Sequence, residues 1–290
     1  MKSIYTLIPD IYEAVRNKDG WFTDDIRDAL AVDIAQRLQT KLSEEKGTAG
    51  LRLSKMGATC PKALWHSIHT PELAERPEPW AEIKFSYGHI LEALVVVLIK
   101  ASGHSITGEQ DAISVDGVYG HRDCVVDGCI VDIKSCNSLS FNKIKAGKEL
   151  EKDPFISGYL DQLDGYLVGS IDDPLVSIKD RGYILAIDKT LGHLCLYEHK
   201  VRENDIRNRI KEYRGIVERS TAPDCRCGVV SEGRSGNMRL DLKASYNSFK
   251  HCCFPTLRTF LYANGPVFLT EVKRQPDVPE LLRNGKVIMP

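Results

Sequence analysis

An Asp-Gly pair at positions 127 and 128 separates two short apolar runs, Cys124-Val125-Val126 and Cys129-Ile130-Val131. Asp-Gly between such runs favours a two-residue hairpin loop, because its residues tolerate the positive φ angles of the tight turn. If those two residues form the loop, Val126 pairs with Cys129. Counting outward then sets Asp123 directly opposite Asp132. Opposed side chains on one sheet face have Cβ atoms roughly 5 Å apart, and like charges there are destabilising. Lys134 lies two residues past Asp132 and shares its face. Two readings follow. The acids and the lysine could converge as a divalent-metal site with an amine beside it. Alternatively, they could be a polar hairpin face exposed to water, with Lys134 as a plain ion-pair partner.

The bare acid-x-Lys pattern has no weight by itself. It occurs at Glu44/Lys46, Glu82/Lys84, Asp132/Lys134, Glu198/Lys200, Asp241/Lys243 and Glu271/Lys273. Only Asp132/Lys134 combines a short apolar strand with a second acid set opposite by a turn.

Composition places few limits beyond this. With 290 residues, 42% hydrophobic and 27% charged, the chain reads as an ordinary globular protein with one large domain or a domain with extensions. Its net charge of −1 offers no global basic field, so any nucleic-acid surface must be local. Met1–Asp10 has no long apolar stretch, and Leu91–Ile99 is too short to span a membrane and contains Glu92. The expectation is a cytoplasmic protein with no membrane partner. Nine cysteines without a secretion signal read as reduced thiols or metal ligands rather than disulfides.

Two helices are expected over 1–50, the second near Asp24–Glu45 with Ile26, Leu30, Ile34, Leu38 and Leu42 at four-residue spacing. A long helix is expected over Ala81–Ser102. Strands with turns at Asp116-Gly117 and Asp127-Gly128 fill 104–136. A lysine-rich segment, Asn142–Glu151, reads as helix or loop. A helix over Phe155–Val168, strands over Val176–Ala186 and His193–Tyr197, and a charged helix over Arg202–Arg219 follow. Residues 223–290, rich in Gly, Pro and Cys, read as an irregular extension. The fold class is α/β.

Two further sets of residues could carry chemistry. Glu92 lies among Leu91, Leu94, Val95 and Leu98, and could face inward as a metal ligand or lie on the polar edge of its helix. Gln162 and Tyr166 share one helix face and could touch a phosphate backbone, or be ordinary surface polarity.

Taken in order, Gly88-x-x-x-Glu92, Gly120-x-x-Asp123, Asp132-Ile133-Lys134 and Gln162-x-x-x-Tyr166 resemble the PD-(D/E)xK superfamily, in particular its RecB-type exonuclease branch. That branch includes nuclease domains of recombination helicases, CRISPR-adaptation nucleases and phage exonucleases. The motifs cover about 85–168. The resemblance implies a restriction-endonuclease-like core, a central mixed β-sheet flanked by helices. It implies a helical N-terminal extension over 1–80, a core over 81–222 and a C-terminal extension over 223–290 packing near Cys60. It also implies roles. Glu92, Asp123 and Asp132, with the carbonyl of Ile133, would bind Mg²⁺ or Mn²⁺. Lys134 would orient or deprotonate the attacking water. Gln162, Tyr166 and Ser135 would contact the strand.

Some members of this branch hold a [4Fe–4S] cluster on one cysteine before the core and three after it. Cys60 resembles the first ligand, but Ala244 and Asn247 stand where two others are expected. Cys60 and Cys253 (or Cys252) would remain, and two thiolates do not hold such a cluster. The reading is therefore a lost cluster with Cys60 and Cys253 as its remnant. A [4Fe–4S] cluster rebuilt with Cys225 and Cys227 requires a poorly matching Cys-x-Cys. A zinc ion on Cys60, Cys225, Cys227 and Cys253, which His251 could join, is a further alternative.

Local basic clusters are present at Lys143, Lys145 and Lys148, at Arg202–Arg214, and at Lys55 and Lys62. The first follows the Asp132 strand and is the favoured DNA contact. The sequence is thus read as a metal-dependent DNA exonuclease of recombination, repair or phage DNA processing. It would act on single-stranded or duplex ends with little sequence specificity. A structure-specific endonuclease and a catalytically silent DNA-binding protein on the same fold are the alternatives.

Overall fold

A computed structural model describes residues 2–17, 22–43, 50–58, 60–77 and 79–290. The chain begins with α1 (Leu7–Arg16), α2 (Asp24–Ser43), α3 (Pro61–His69) and α4 (Pro79–Ala101). Strands β1 (Ile106–Thr107), β2 (Ala112–Val115), β3 (Val118–His121), β4 (Cys124–Val126) and β5 (Cys129–Cys136) follow. Next come α5 (Ser138–Ala146), α6 (Ile156–Gly169), β6 (Ile178–Asp188), β7 (Leu194–Lys200) and α7 (Glu203–Val217). The last elements are β8 (Val229–Glu232), β9 (Asn237–Leu240), α8 (Leu242–Ser245), α9 (Lys250–Cys253), β10 (Arg258–Tyr262), β11 (Gly265–Glu271), β12 (Glu280–Leu281) and β13 (Val287–Ile288). Two compact units result: residues 1–57 with 78–211, and residues 58–77 with 212–290. Among the described residues, no helix is long and apolar enough to cross a membrane.

The first unit is α/β, with a five-stranded mixed sheet in the order β1-β4-β5-β6-β7. Only β5 and β6 run parallel, because the helices α5 and α6 carry the chain back across the sheet between them. The sheet is flanked by helices and fits the restriction-endonuclease-like core expected from the motifs. On one face, Val95, Val96, Leu98 and Ile99 of α4 and Leu7 and Ile11 of α1 pack on Cys124, Val126, Cys129, Val131, Ile133 and Leu185. On the other, α6 packs against β5 and β6. The α2 stripe is present as half-buried Ile26, Leu30, Ile34 and Leu38, and α2 packs on α4. The Leu42 side chain, Glu44 and Glu45 lie outside the described residues.

The turns form as the Asp-Gly pairs predict. Asp116 and Gly117 have φ of 48° and 74°, and Asp127 and Gly128 have 48° and 79°. The β4–β5 register is Val126↔Cys129, Val125↔Ile130 and Cys124↔Val131. The Asp127 carboxylate adds a lock of its own. It hydrogen-bonds His104 Nδ1 at 2.5 Å and accepts from the Ser105 amide at 3.0 Å, while His104 Nε2 meets Asp10 of α1 at 3.0 Å.

Buried charge holds α6. Asp164, 1% exposed, accepts from Arg202 Nε at 2.8 Å and bonds His199 at 2.7 Å; Asp161 pairs with Arg202 and Arg209. These acids occupy the face of α6 away from Gln162. Leu53 wedges against the helix from another side: a Cβ on Gly165 or on Gly120 of β3 would lie 2.9 Å from its side chain.

The structure departs from expectation in two places. The lysine-rich helix lies earlier, at Ser138–Ala146, because Asn137 caps the Ser140 amide and Gly147 ends the helix at φ 63°. Residues 223–290 are not irregular. They carry a six-stranded antiparallel sheet in the order β13-β12-β10-β11-β9-β8, whose strands of two to seven residues hide among Gly and Pro. Leu240, Ala244 and Leu257 form a small core in this second unit.

The turn that sets the hairpin register also docks on β6, since the Gly128 carbonyl accepts from the Ser177 and Ile178 amides. A Cβ at Gly128 would meet Ser177 Oγ at 2.1 Å on a left-handed backbone. We expect Gly128→Ala to cost about 1–3 kcal/mol, read as a lower urea midpoint at unchanged slope; an unchanged midpoint would contradict the docking of the turn.

Candidate active site

Strand alternation sorts β5 into two faces. Cys129, Val131 and Ile133 enter the core beneath α1 and α4, so Ile130, Asp132 and Lys134 face α6. Lys134 Nζ accordingly sits 5.3 Å from the centre of the Tyr159 ring of α6. Asp123 is one step beyond the last β4–β5 pair, where the ladder carries it to the level of Asp132. Its Oδ2 accepts from the Ile133 amide at 2.7 Å, which ties the second acid to the backbone of the strand bearing the first. Glu92 comes from α4.

Asp132 is fully buried. Its Oδ1 accepts from Lys134 Nζ at 2.8 Å, and its Oδ2 has no partner. Among the described residues of the first unit, Oδ2 is the one buried side-chain polar atom left without a hydrogen bond. Leaving such an atom unsatisfied costs about 1–3 kcal/mol, more if it is charged. Glu92 has found partners of its own: Arg37 Nη1 at 2.5 Å and Gln110 Nε2 at 2.9 Å. Arg37 is itself fixed by Asp33 at 2.8 Å.

The electrostatics follow from this crowding. Burial, then repulsion from Asp123, pushes Glu92 up to about 7 against the pull of Arg37. Burial likewise raises Asp132 to about 7, with Lys134 opposing it and Asp123 reinforcing it. Burial works against the charge of Lys134, but Asp132 and Asp123 outweigh it and hold the ammonium above the ordinary lysine range. A hard divalent cation takes oxygen ligands and relieves this strain, as it would occupy the open oxygen and neutralise the acids. The residues present therefore fit a hard divalent cation.

Gln162 donates to the Tyr166 hydroxyl one helical turn away. Tyr166 is 2% exposed and its phenol is raised by burial and then by Asp132 and Asp123, so it forms part of the wall beside the acids. Gln162 is the half-buried member of the pair. Ser135 is half-buried after Lys134, 3.6 Å from where a Cβ on Gly88 would lie. Lys143, Lys145 and Lys148 are exposed on and after α5, with Lys143 paired to Asp153 at 2.7 Å. Arg37 and Gln110 were not anticipated; no local pattern links them to Glu92.

A second cluster lies in residues 58–77 and 212–290. The sulfurs of Cys60, Cys225, Cys227 and Cys253 all fall within 4.8 Å of one another. Where the remnant of a lost cluster would keep only Cys60 and Cys253, the structure brings together the four-cysteine set of the zinc alternative. Cys252 and His251 stay outside it, His251 instead meeting Glu75 at 3.2 Å. The neighbouring thiols of Cys227 and Cys253 drive the Cys60 thiol down, and the Ala63 and Arg226 amides add to this.

No protein-family model and no curated protein matches the chain. Among solved structures it is similar to the one described as SSO0001, at 15% identity over 77% of this chain and 95% of that one, with a TM-score of 0.43. It is similar to an alkaline exonuclease, LHK-Exo, from Laribacter hongkongensis at 16% identity over 59% and 89%, with a TM-score of 0.43. LHK-Exo in complex with dAMP gives 15% over 57% and 90%, with a TM-score of 0.38.

Raised carboxyls have a sign that can be tested. With Glu92 and Asp132 titrating near 7 in the fold and near 4 when unfolded, the folded state binds more protons between about pH 4 and about pH 7. Their contribution to stability is therefore complete below the unfolded range and is lost as pH rises through about 7. We expect the thermal midpoint of the cation-free protein to fall between about pH 5.5 and about pH 8. Added Mg²⁺ or Mn²⁺ should raise it more at the higher pH, where protons compete less. An equal cation effect at both, or one undiminished in Asp132→Asn, would contradict the site.

Proposed function

We propose that this chain is a metal-dependent DNA exonuclease that hydrolyses phosphodiester bonds in recombination, repair or phage DNA processing. The observation that carries the reading is the open, buried Asp132 Oδ2, with Lys134 at 2.8 Å from the other oxygen and Asp123 and Glu92 near enough to raise the carboxyl. A structural ion pair of Asp132 and Lys134 has no use for two further acids that raise its carboxyl, or for an open buried oxygen. Glu92, Asp123 and Asp132, with the Ile133 carbonyl, would hold one or two Mg²⁺ or Mn²⁺ ions. When bound, the cation would polarise the scissile phosphate and stabilise the charge that develops in the in-line displacement.

The remaining steps belong to the chain's own groups. Lys134, kept cationic by its acids, is a poor base in this state. It acts as a donor that orients the attacking water and balances charge on the phosphate. Arg37 and Gln110 both bond Glu92 Oε1, which holds the carboxylate in place and leaves Oε2 to the cation. The Gln162–Tyr166 pair forms a fixed polar wall from which Gln162 can touch the strand. Ser135 and Lys143, Lys145 and Lys148 would neutralise neighbouring phosphates, which makes binding salt-dependent and insensitive to sequence. Preference for ends over internal bonds rests on the resemblance to the RecB-type branch.

End-labelled linear DNA and covalently closed circular DNA, each with Mg²⁺ or Mn²⁺, separate the readings. We expect linear DNA to be degraded and circles to survive. Asp132→Ala and Lys134→Ala should each lower the rate by about 10²-fold or more. Cutting of circles would move the assignment to a structure-specific endonuclease. Binding without cutting would leave a silent DNA-binding protein, and near-wild-type rates in either variant would remove the proposed site.

A further inference from the structure

The four sulfurs of the second unit stand at a spacing that discriminates between metals. Cys60 lies 3.7 Å from Cys225 and 3.7 Å from Cys253, and Cys227 lies 3.8 Å from Cys253. Four thiolates at about 2.3 Å from one ion at the centre of a tetrahedron are separated by about 3.8 Å, which follows from the bond length alone. A [4Fe–4S] cluster needs a larger frame. Each thiolate binds a different iron of a cube and points away from its centre, so its sulfurs stand apart by more than an iron–iron edge. All four sulfurs here lie within 4.8 Å, and Ala244 and Asn247 stand where the family's ligands are expected. The cluster does not fit this chain.

From this arrangement we infer that Cys60, Cys225, Cys227 and Cys253 form a structural zinc site rather than an iron–sulfur cluster. Zinc takes four thiolates in a closed tetrahedron and has no redox chemistry to control, which suits a site with no open position. The outer contacts are those of a thiolate centre. Asn247 Nδ2 donates to Cys227 at 3.3 Å and to Cys253 at 3.6 Å, and the Cys227 amide donates to Cys225 at 3.3 Å. Asn247 thus supports the sulfurs from a position where a ligand was expected. Its amide is set by its own Oδ1, which accepts from the Phe249 amide at 2.9 Å. The ion would join Cys60, just before α3, to sulfurs 165 and 193 residues later in the chain. Each metal–sulfur bond forms as a thiol gives its proton to solvent, with no change of oxidation state.

The test is metal and sulfide analysis of the full chain, expressed with zinc and iron both supplied and purified without chelator. The expected result is a colourless protein with one zinc per chain and no acid-labile sulfide. Cys225→Ser and Cys227→Ser should each lose the zinc, while Cys252→Ser should keep it. Asn247→Ala should keep all four ligands but hold zinc about tenfold or more weakly, measured by competition with a chromogenic chelator. If a serine variant is insoluble, the wild-type stoichiometry and the Asn247→Ala affinity still decide. Brown protein with about four irons and four sulfides per chain would overturn the proposal, as would metal-free protein in which these four thiols react freely.

Discussion

A single carboxylate, Asp132, sets the terms for the first unit. It is buried at the centre of a mixed sheet, satisfied on one oxygen by Lys134 and left open on the other. An isolated ionised carboxylate in that position would be prohibitive, and a simple pair with Lys134 would return little after desolvation. Two more acids beside it make matters worse for the protein alone and better for a protein that holds a cation. The other features of the unit can be read as the means of keeping that arrangement in place. Asp123 is fastened to the Ile133 amide, Glu92 is restrained by Arg37 and Gln110, and the hairpin turn is docked on β6.

The scaffold invests other buried charges to the same end. Asp161 and Asp164 grip Arg202, Arg209 and His199 on one side of α6, while Leu53 presses on Gly165. The helix that carries Tyr159, Gln162 and Tyr166 is therefore fixed from behind. Rigid placement of this kind is what the proposed hydrolytic site needs, because small displacements of the reacting groups cost large factors in rate.

The parts that were legible in the sequence were those governed by local rules. Turn chemistry at Asp127-Gly128 was enough for the β4–β5 register up to Cys124↔Val131, one step from Asp123, and period-two alternation for Asp132 and Lys134 on one face, and both are encoded within a dozen residues. Helix spacing was enough for α4, α6 and the α2 stripe. What escaped depends on contacts distant in sequence. Arg37 reaches Glu92 across 55 residues, and nothing near either residue announces it. The sheet of residues 223–290 is made of short strands broken by Gly and Pro, too brief for alternation to register. The four cysteines illustrate the same limit. The sequence could name the four as one alternative among several, but only the folded chain shows Cys225 and Cys227 beside Cys60 and Cys253.

The account rests on the three acids accepting a divalent cation between them. Anomalous diffraction from crystals soaked in Mn²⁺ tests this most directly. The predicted result is a manganese peak within coordination distance of Asp132, Asp123 and Glu92, with Lys134 still beside Asp132. Crystals with no peak there at saturating Mn²⁺ would contradict it.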